Sequence, residues 1–228
     1  MSPPYLSVVI PAYNESANVD RVAVGALDAL QQRGVGSYEL LLVNDGSVDD
    51  TWSRMERLAR EVPGIRAFTH ATNLGLGAAL RTGFANARGD LIVWIPGDGQ
   101  FDLADILAGL PQLETKEIVV VLRTGRKGST RSLITACFHG LIRLLFRFEA
   151  TGVCGIYIIK RKTLEEIRPR SSDIFLNLEI PILCVRHNKP LGRITVPTQP
   201  RLSGVSKVAN VRTMAKNLFE LLRFRVGL

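Results

Sequence analysis

The residues best able to do chemistry stand in short polar clusters, each following an apolar run. Pro11-Ala12-Tyr13-Asn14-Glu15 follows Leu6–Ile10, Asn44-Asp45-Gly46-Ser47 follows Glu39–Val43, and Pro96-Gly97-Asp98-Gly99-Gln100 follows Asp90–Ile95. Carboxylates such as Glu15, Asp45 and Asp98 accept hydrogen bonds from N–H and hydroxyl groups. Asp98 can also offer a carboxylate to a hard cation such as Mg2+ or Mn2+. Cations gather in two other places, Arg123-Thr124-Gly125-Arg126-Lys127 with Arg131, and Arg201-Leu202-Ser203-Gly204-Val205-Ser206-Lys207. Guanidinium forks suit bidentate contacts with phosphate. Gly, Asn and Asp also make turns, so any one loop taken alone is explained as a turn. Three of them in the same place after successive apolar runs ask for more.

The runs between these clusters are the elements that must position them. Short apolar stretches alternate with amphipathic ones: Leu6–Ile10 then Ala17–Gln32, Glu39–Val43 then Asp50–Arg60, Ile65–Thr69 then Ala78–Ala87, and Asp90–Ile95. Such a βα repeat predicts an α/β fold, a mostly parallel sheet with helices on both faces, whose ligands sit at the carboxyl ends of the strands. Past Asp105 the pattern changes to a helix near Ile106–Leu113, a strand Ile118–Leu122, a helix Leu133–Phe148 apolar nearly all round, and a strand Gly155–Ile159. The remainder reads as irregular up to a last amphipathic helix near Val211–Val226. One domain over 1–210 with a C-terminal helix over 211–228 suits a chain of 228 residues, 46% of them apolar.

With 29 Lys and Arg against 21 Asp and Glu, the formal charge of +8 favours an anionic partner. Nucleic acid is disfavoured, because the basic residues lack interleaved aromatics and the acidic loops would repel a phosphate backbone. Cys137, Cys154 and Cys184 are odd in number and widely spaced, which suggests neither disulfides nor a zinc site. Arg143 and Arg147 interrupt one apolar stretch and Arg223 and Arg225 another, so neither reaches the roughly 20 residues of a spanning helix. Both stretches suit a helix lying in a membrane interface, or equally a core or dimer helix. With no leader-like start, the expected location is cytoplasmic, peripheral at the cytoplasmic face of a membrane.

Three segments taken in order carry a family resemblance. Ser7-Val8-Val9-Ile10-Pro11-Ala12-Tyr13-Asn14-Glu15, Leu42-Val43-Asn44-Asp45-Gly46-Ser47 with Asp49, and Asn73-Leu74-Gly75 with Gly77, Ala79-Leu80-Arg81 and Gly83 resemble the successive signatures of family 2 glycosyltransferases. The similarity is greatest to dolichol-phosphate mannose synthases and bacterial polyprenyl-phosphate glycosyltransferases. It implies a GT-A fold and an inverting transfer of a hexose, mannose or glucose, from a GDP- or UDP-linked sugar to a polyprenyl phosphate.

Carried onto this sequence, the resemblance gives Pro11, Tyr13, Glu15, Asn44 and Asp45 the nucleoside, with Tyr13 offering a flat face. It gives Gly97, Asp98 and Gln100 the diphosphate and its Mg2+ or Mn2+, with Asp98 and Gln100 as metal ligands. Arg123 and Arg131 become acceptor-loop arginines that act with Asp98 in catalysis, and Arg201, Ser203 and Lys207 match an R-x-S-G-x-S-K element. Further implied partners are the membrane surface, a second copy of the chain or a membrane anchor. Two positions depart from the family pattern. Pro96 stands where relatives carry the first Asp of D-x-D, and Thr151 where they carry the Asp of D-x-x-S-G. Two alternatives follow. A saccharide hydroxyl acceptor would need a general base, for which only Asp102 or Asp105 offers itself. A degenerate D-x-D would suit a non-catalytic nucleotide-sugar-binding scaffold.

Overall fold

The computed structural model describes residues 5–124, 140, 142–146, 148 and 153–197. In chain order these form β1 (Leu6–Ala12), α1 (Val19–Gln32), β2 (Tyr38–Asn44), α2 (Thr51–Glu61), β3 (Ile65–Thr69), α3 (Leu76–Asn86) and β4 (Leu91–Trp94). Then come α4 (Leu103–Leu107), a 3-10 turn (Leu110–Glu114), β5 (Ile118–Arg123), β6 (Val153–Lys160), α5 (Arg161–Ile167), α6 (Leu176–Arg186) and β7 (Leu191–Val196).

The strands make one seven-stranded sheet in the order β3-β2-β1-β4-β6-β5-β7. All neighbours run parallel except β6, which is antiparallel to both β4 and β5. Strand order grows outward from β1 to β3 and then jumps back to β4 beside β1. Right-handed crossovers therefore place α1 and α2 on one face and α3 on the other. The reversal falls between β1 and β4, and the crevice beyond their carboxyl ends is the natural ligand position in such a sheet.

Central strands are buried on both faces, which is why they read as unbroken apolar runs: every residue of β1 and of β4 is buried. On α1 the buried residues Val19, Val22, Ala23, Ala26, Ala29 and Leu30 recur at helical spacing and cover the sheet. A smaller cluster joins Ile142, Phe146 and Phe148 to Phe175 and to Ile182 of α6. Burying each such side chain stabilises the fold by about 1.5–3 kcal/mol. Of the stretch Leu133–Phe148, expected to be apolar nearly all round, Ile142, Phe146 and Phe148 are thus buried, while Leu144 is 79% exposed. Among the described residues no helix is long and apolar enough to cross a membrane. The C-terminal helix expected over 211–228 lies outside the described residues.

Two expectations need correction. The single helix near Ile106–Leu113 is instead α4 followed by a 3-10 turn, since Pro111 at its start cannot donate an intrahelical bond. The irregular stretch expected after Ile159 contains α5, α6 and β7. Helix α6 is buried nearly all round and holds Pro181 inside it, so it shows neither an amphipathic stripe nor a clean run. Strand β7 is a short edge strand with an exposed Arg193 and a glycine, and its pattern is weak.

Candidate active site

The three polar clusters meet because β2, β1 and β4 are adjacent and parallel. Ala12 pairs with Asn44 at the ends of β1 and β2, and Asp45 N–H donates to Ala12 O at 2.9 Å. Beyond β4, Ile95 N–H donates to Val9 O at 3.0 Å and Gly97 N–H to Pro11 O at 3.1 Å, which carries the Asp98 loop along the end of β1.

The first two loops are laced together by short hydrogen bonds. Asn14 N–H donates to Ser47 Oγ at 2.9 Å, and Val48 N–H donates back to Asn14 Oδ1 at 2.9 Å. Asn14 has φ 53, a left-handed conformation that asparagine tolerates better than most residues. Glu15 N–H donates to Thr51 Oγ1 at 2.8 Å, and Ser16 N–H to Asp49 Oδ2 at 3.2 Å. Burial pushes the Asp49 carboxyl up, but donors from Thr51 and Ser16 outweigh it and hold the group below the usual aspartate range. The Glu15 carboxylate accepts from Asn18 Nδ2 at 2.6 Å. The turn after β2 is built by Asn44, whose Oδ1 accepts Ser47 N–H at 3.2 Å, and not by Asp45.

Asp45, 4% exposed, faces the segment between β3 and α3. Its carboxylate accepts Leu74 N–H at 2.9 Å and Gly75 N–H at 2.8 Å, and lies 2.8 Å from His70 Nδ1. His70 Nε2 lies 2.9 Å from Thr82 Oγ1 on α3. Gly46, at φ +67, sits directly beneath this segment: a Cβ there would stand 2.2 Å from the carbonyl carbon of Thr72. Farther along, a Cβ at Gly77 would stand 2.0 Å from Asp173 O, so α3 begins against the loop that precedes α6. That loop is held by Glu179, fully buried on α6, whose carboxylate accepts Arg170 N–H and Ser171 N–H, both at 2.8 Å.

Asp98 is 7% exposed, and Gln100 N–H donates to its Oδ1 at 3.1 Å. Among the described residues no three His, Cys, Asp or Glu side chains come together as a metal site. The donor set therefore fits a hard cation that brings most of its oxygen ligands with it, held by one carboxylate. It does not fit a cation caged by protein alone. Arg123, exposed at the end of β5, places its guanidinium carbon 6.0 Å from the ring centre of Phe101, so it leans over the loop that carries Asp98.

The structure thus brings Pro11, Tyr13, Glu15, Asn44, Asp45, Gly97, Asp98 and Gln100 to neighbouring strand ends, and Arg123 to their flank. Arg131, Arg201, Ser203 and Lys207, and the departure at Thr151, lie outside the described residues. Asp102, a candidate base for a hydroxyl acceptor, caps α4 by accepting Ala104 N–H at 2.8 Å. Sequence reasoning missed His70 and Thr82 altogether. A lone His gives no signal, and only the pairing of strand ends shows that it faces Asp45.

An open cleft of 290 Å³ runs between α1 and the loop after β4, lined by Arg21, Gly25, Asp28, Gln32 and Phe101. It shares Gly99 with the Asp98 loop and Asp102 with the cap of α4, but none of the residues assigned to the nucleoside, the diphosphate or the acceptor phosphate.

Comparison with known proteins shows the family and the fold. A dolichyl-phosphate beta-glucosyltransferase of Trichomonas vaginalis is 32% identical over 98% of this chain and 75% of its own length. A dodecaprenyl-phosphate galacturonate synthase of Rhizobium johnstonii is 30% identical over 91% of this chain and 63% of its own. In fold, the glucosyl-3-phosphoglycerate synthase of Mycobacterium tuberculosis, crystallised with Mn2+, UDP and glucosyl-3-phosphoglycerate, superposes with a TM-score of 0.72 at 19% identity, over 99% of this chain and 81% of that one. The family model described as Glycosyl transferase family 2 matches residues 7–174, from the first strand to the loop before α6, and the chain belongs to that family of enzymes on a GT-A-like fold.

Proposed function

We propose that the protein transfers a hexose, glucose before mannose, from a nucleoside diphosphate sugar to a polyprenyl phosphate at the cytoplasmic face of a membrane. The observation that carries the reading is the similarity, over 98% and 91% of this chain, to enzymes whose names carry dolichyl phosphate and dodecaprenyl phosphate. The strand-end loops supply chemistry that suits it. Tyr13, Glu15 and the remaining lone pair of Asp45 meet the nucleoside, while the basic residues beginning at Arg123 face the acceptor phosphate.

Asp98, with Gln100 beside it, would hold Mg2+ or Mn2+ against the donor diphosphate. When bound, such an ion neutralises charge on the departing nucleoside diphosphate. A lipid monophosphate has a second pKa of about 6, so its attacking oxygen is ionised near neutral pH and needs no protein base. Holding that oxygen in line behind the anomeric carbon makes the displacement single and inverting.

The test is transfer by the purified protein with Mg2+ or Mn2+, labelled UDP-glucose, GDP-glucose and GDP-mannose, and a polyprenyl phosphate in detergent. Label should enter the organic phase from one donor. Label confined to water-soluble glycan overturns the lipid acceptor, and nucleotide binding without any transfer makes the protein a scaffold.

A further inference from the structure

The segment 70–75 lies over Asp45 and Gly46 and opens α3, yet it has little apolar anchorage. Residues 71–74 are all exposed, Leu74 by 59%. What fixes the segment is therefore polar: the amides of Leu74 and Gly75 on the Asp45 carboxylate, and the ring of His70 between that carboxylate and Thr82. A carboxylate oxygen accepts, so Nδ1–H donates to Asp45, while Nε2 shares a hydrogen bond with the Thr82 hydroxyl, which can serve as donor or acceptor. One imidazole thereby joins the end of β2, the end of β3 and the second turn of α3. It also sets the rotation of a carboxylate that has a lone pair left for a ligand.

We propose that His70 is a positioning residue for donor binding, holding Asp45 and the segment 70–75 as one rigid unit at the nucleoside end of the site. The inference rests on the reading of these loops as a donor-nucleotide site. It assigns no contact between His70 and substrate. Losing one such hydrogen bond is worth about 0.5–1.5 kcal/mol, or roughly two- to twelvefold in affinity.

The experiment measures binding of UDP and GDP by calorimetry, and KM and kcat for the donor that the protein uses. In His70→Ala the dissociation constant and KM should rise about fivefold, with kcat at saturating donor changed less than about twofold. Asn at this position can still donate to Asp45 from the place of Nδ1, so His70→Asn should recover most of the affinity. Gln reaches only toward Thr82, so His70→Gln should recover little. Thr82→Val, which removes the far anchor without opening a cavity, should weaken binding in the same direction by less. If His70→Ala does not fold, the Asn, Gln and Val variants decide alone. Unchanged affinity in His70→Ala, a fall in kcat at unchanged affinity, or Asn no better than Gln would each overturn the proposal. Failure of the wild type to bind either nucleotide is a different result, one that sinks the donor-site reading itself.

Discussion

The two sides of the strand-end crevice are built differently. Around β1 and β2, side chains and amides of Asn14, Glu15, Ser16, Asp45, Ser47 and Asp49 are locked into one another, so the protein fixes that surface before any ligand arrives. At the end of β4 a buried carboxylate, Asp98, stands near Pro96 with a backbone amide donating to it, and among the described residues no three His, Cys, Asp or Glu side chains gather there as a metal site. On the function proposed above, rigidity is thus concentrated where the nucleoside would be recognised, and the metal end is left for substrate oxygens to complete. A pocket of this kind would read its ligand mainly through the preformed side and act on it through the other.

The largest test of that contrast is Asp98→Ala. It should lower transfer by about 10²–10³-fold, as loss of one electrostatic partner does, while UDP affinity measured without metal stays within about twofold. A comparable loss of metal-free binding would mean that the Asp98 side also recognises. Gly46→Ala attacks the preformed side: strain at φ +67 and the contact with Thr72 should together cost about 2–4 kcal/mol in chemical denaturation. A near-neutral outcome would show that the laced loops yield easily. Pro96→Asp should sharpen the comparison by supplying the missing carboxylate. Mn2+ affinity in the absence of nucleotide should rise about tenfold, some 1.4 kcal/mol, and no change would place position 96 away from the ion.

The smallest effect lies outside the crevice and serves as a control on pH work. The Glu117 carboxyl is held below the usual glutamate range by the Thr163 hydroxyl first and by Lys160 second. A lowered carboxylate contributes stability above its unfolded value of 4.5 that is lost as pH falls through the native value. The melting temperature of wild type should therefore exceed that of Glu117→Gln, by less than about 1 kcal/mol in stability, only until the pH drops below that value. A difference that persists at lower pH would argue against this titration.

The parallel half of the sheet was legible because fully buried strands and amphipathic helices write opposite patterns. Polar residues fell where turns and ligands both require them. Asp98 was legible for the same reason, as the first carboxylate after an apolar strand. The second half was less so: α6 combines Pro181 with burial on nearly every side, which removes the helical stripe, and β7 is a short edge strand. The clasp between His70, Asp45 and Thr82 could not be read at all, since partners 25 and 12 residues apart meet only once β2, β3 and α3 are assembled. Spacing along the chain carries no trace of it.

The close approach of Gly77 to Asp173 has a mechanical consequence. The parallel and mixed halves of the sheet share only the β4–β6 seam, which by itself would let them flex like the covers of a book. Across one face, however, the start of α3 rests on the backbone before α6, and Arg81 of α3 donates to Pro169 O at 2.9 Å and Ser171 O at 3.3 Å. The spine is braced by a strut on that side, so opening there must lift α3 off the loop before it can bend the sheet. Any side chain placed at position 77 would act as a wedge driven under that strut.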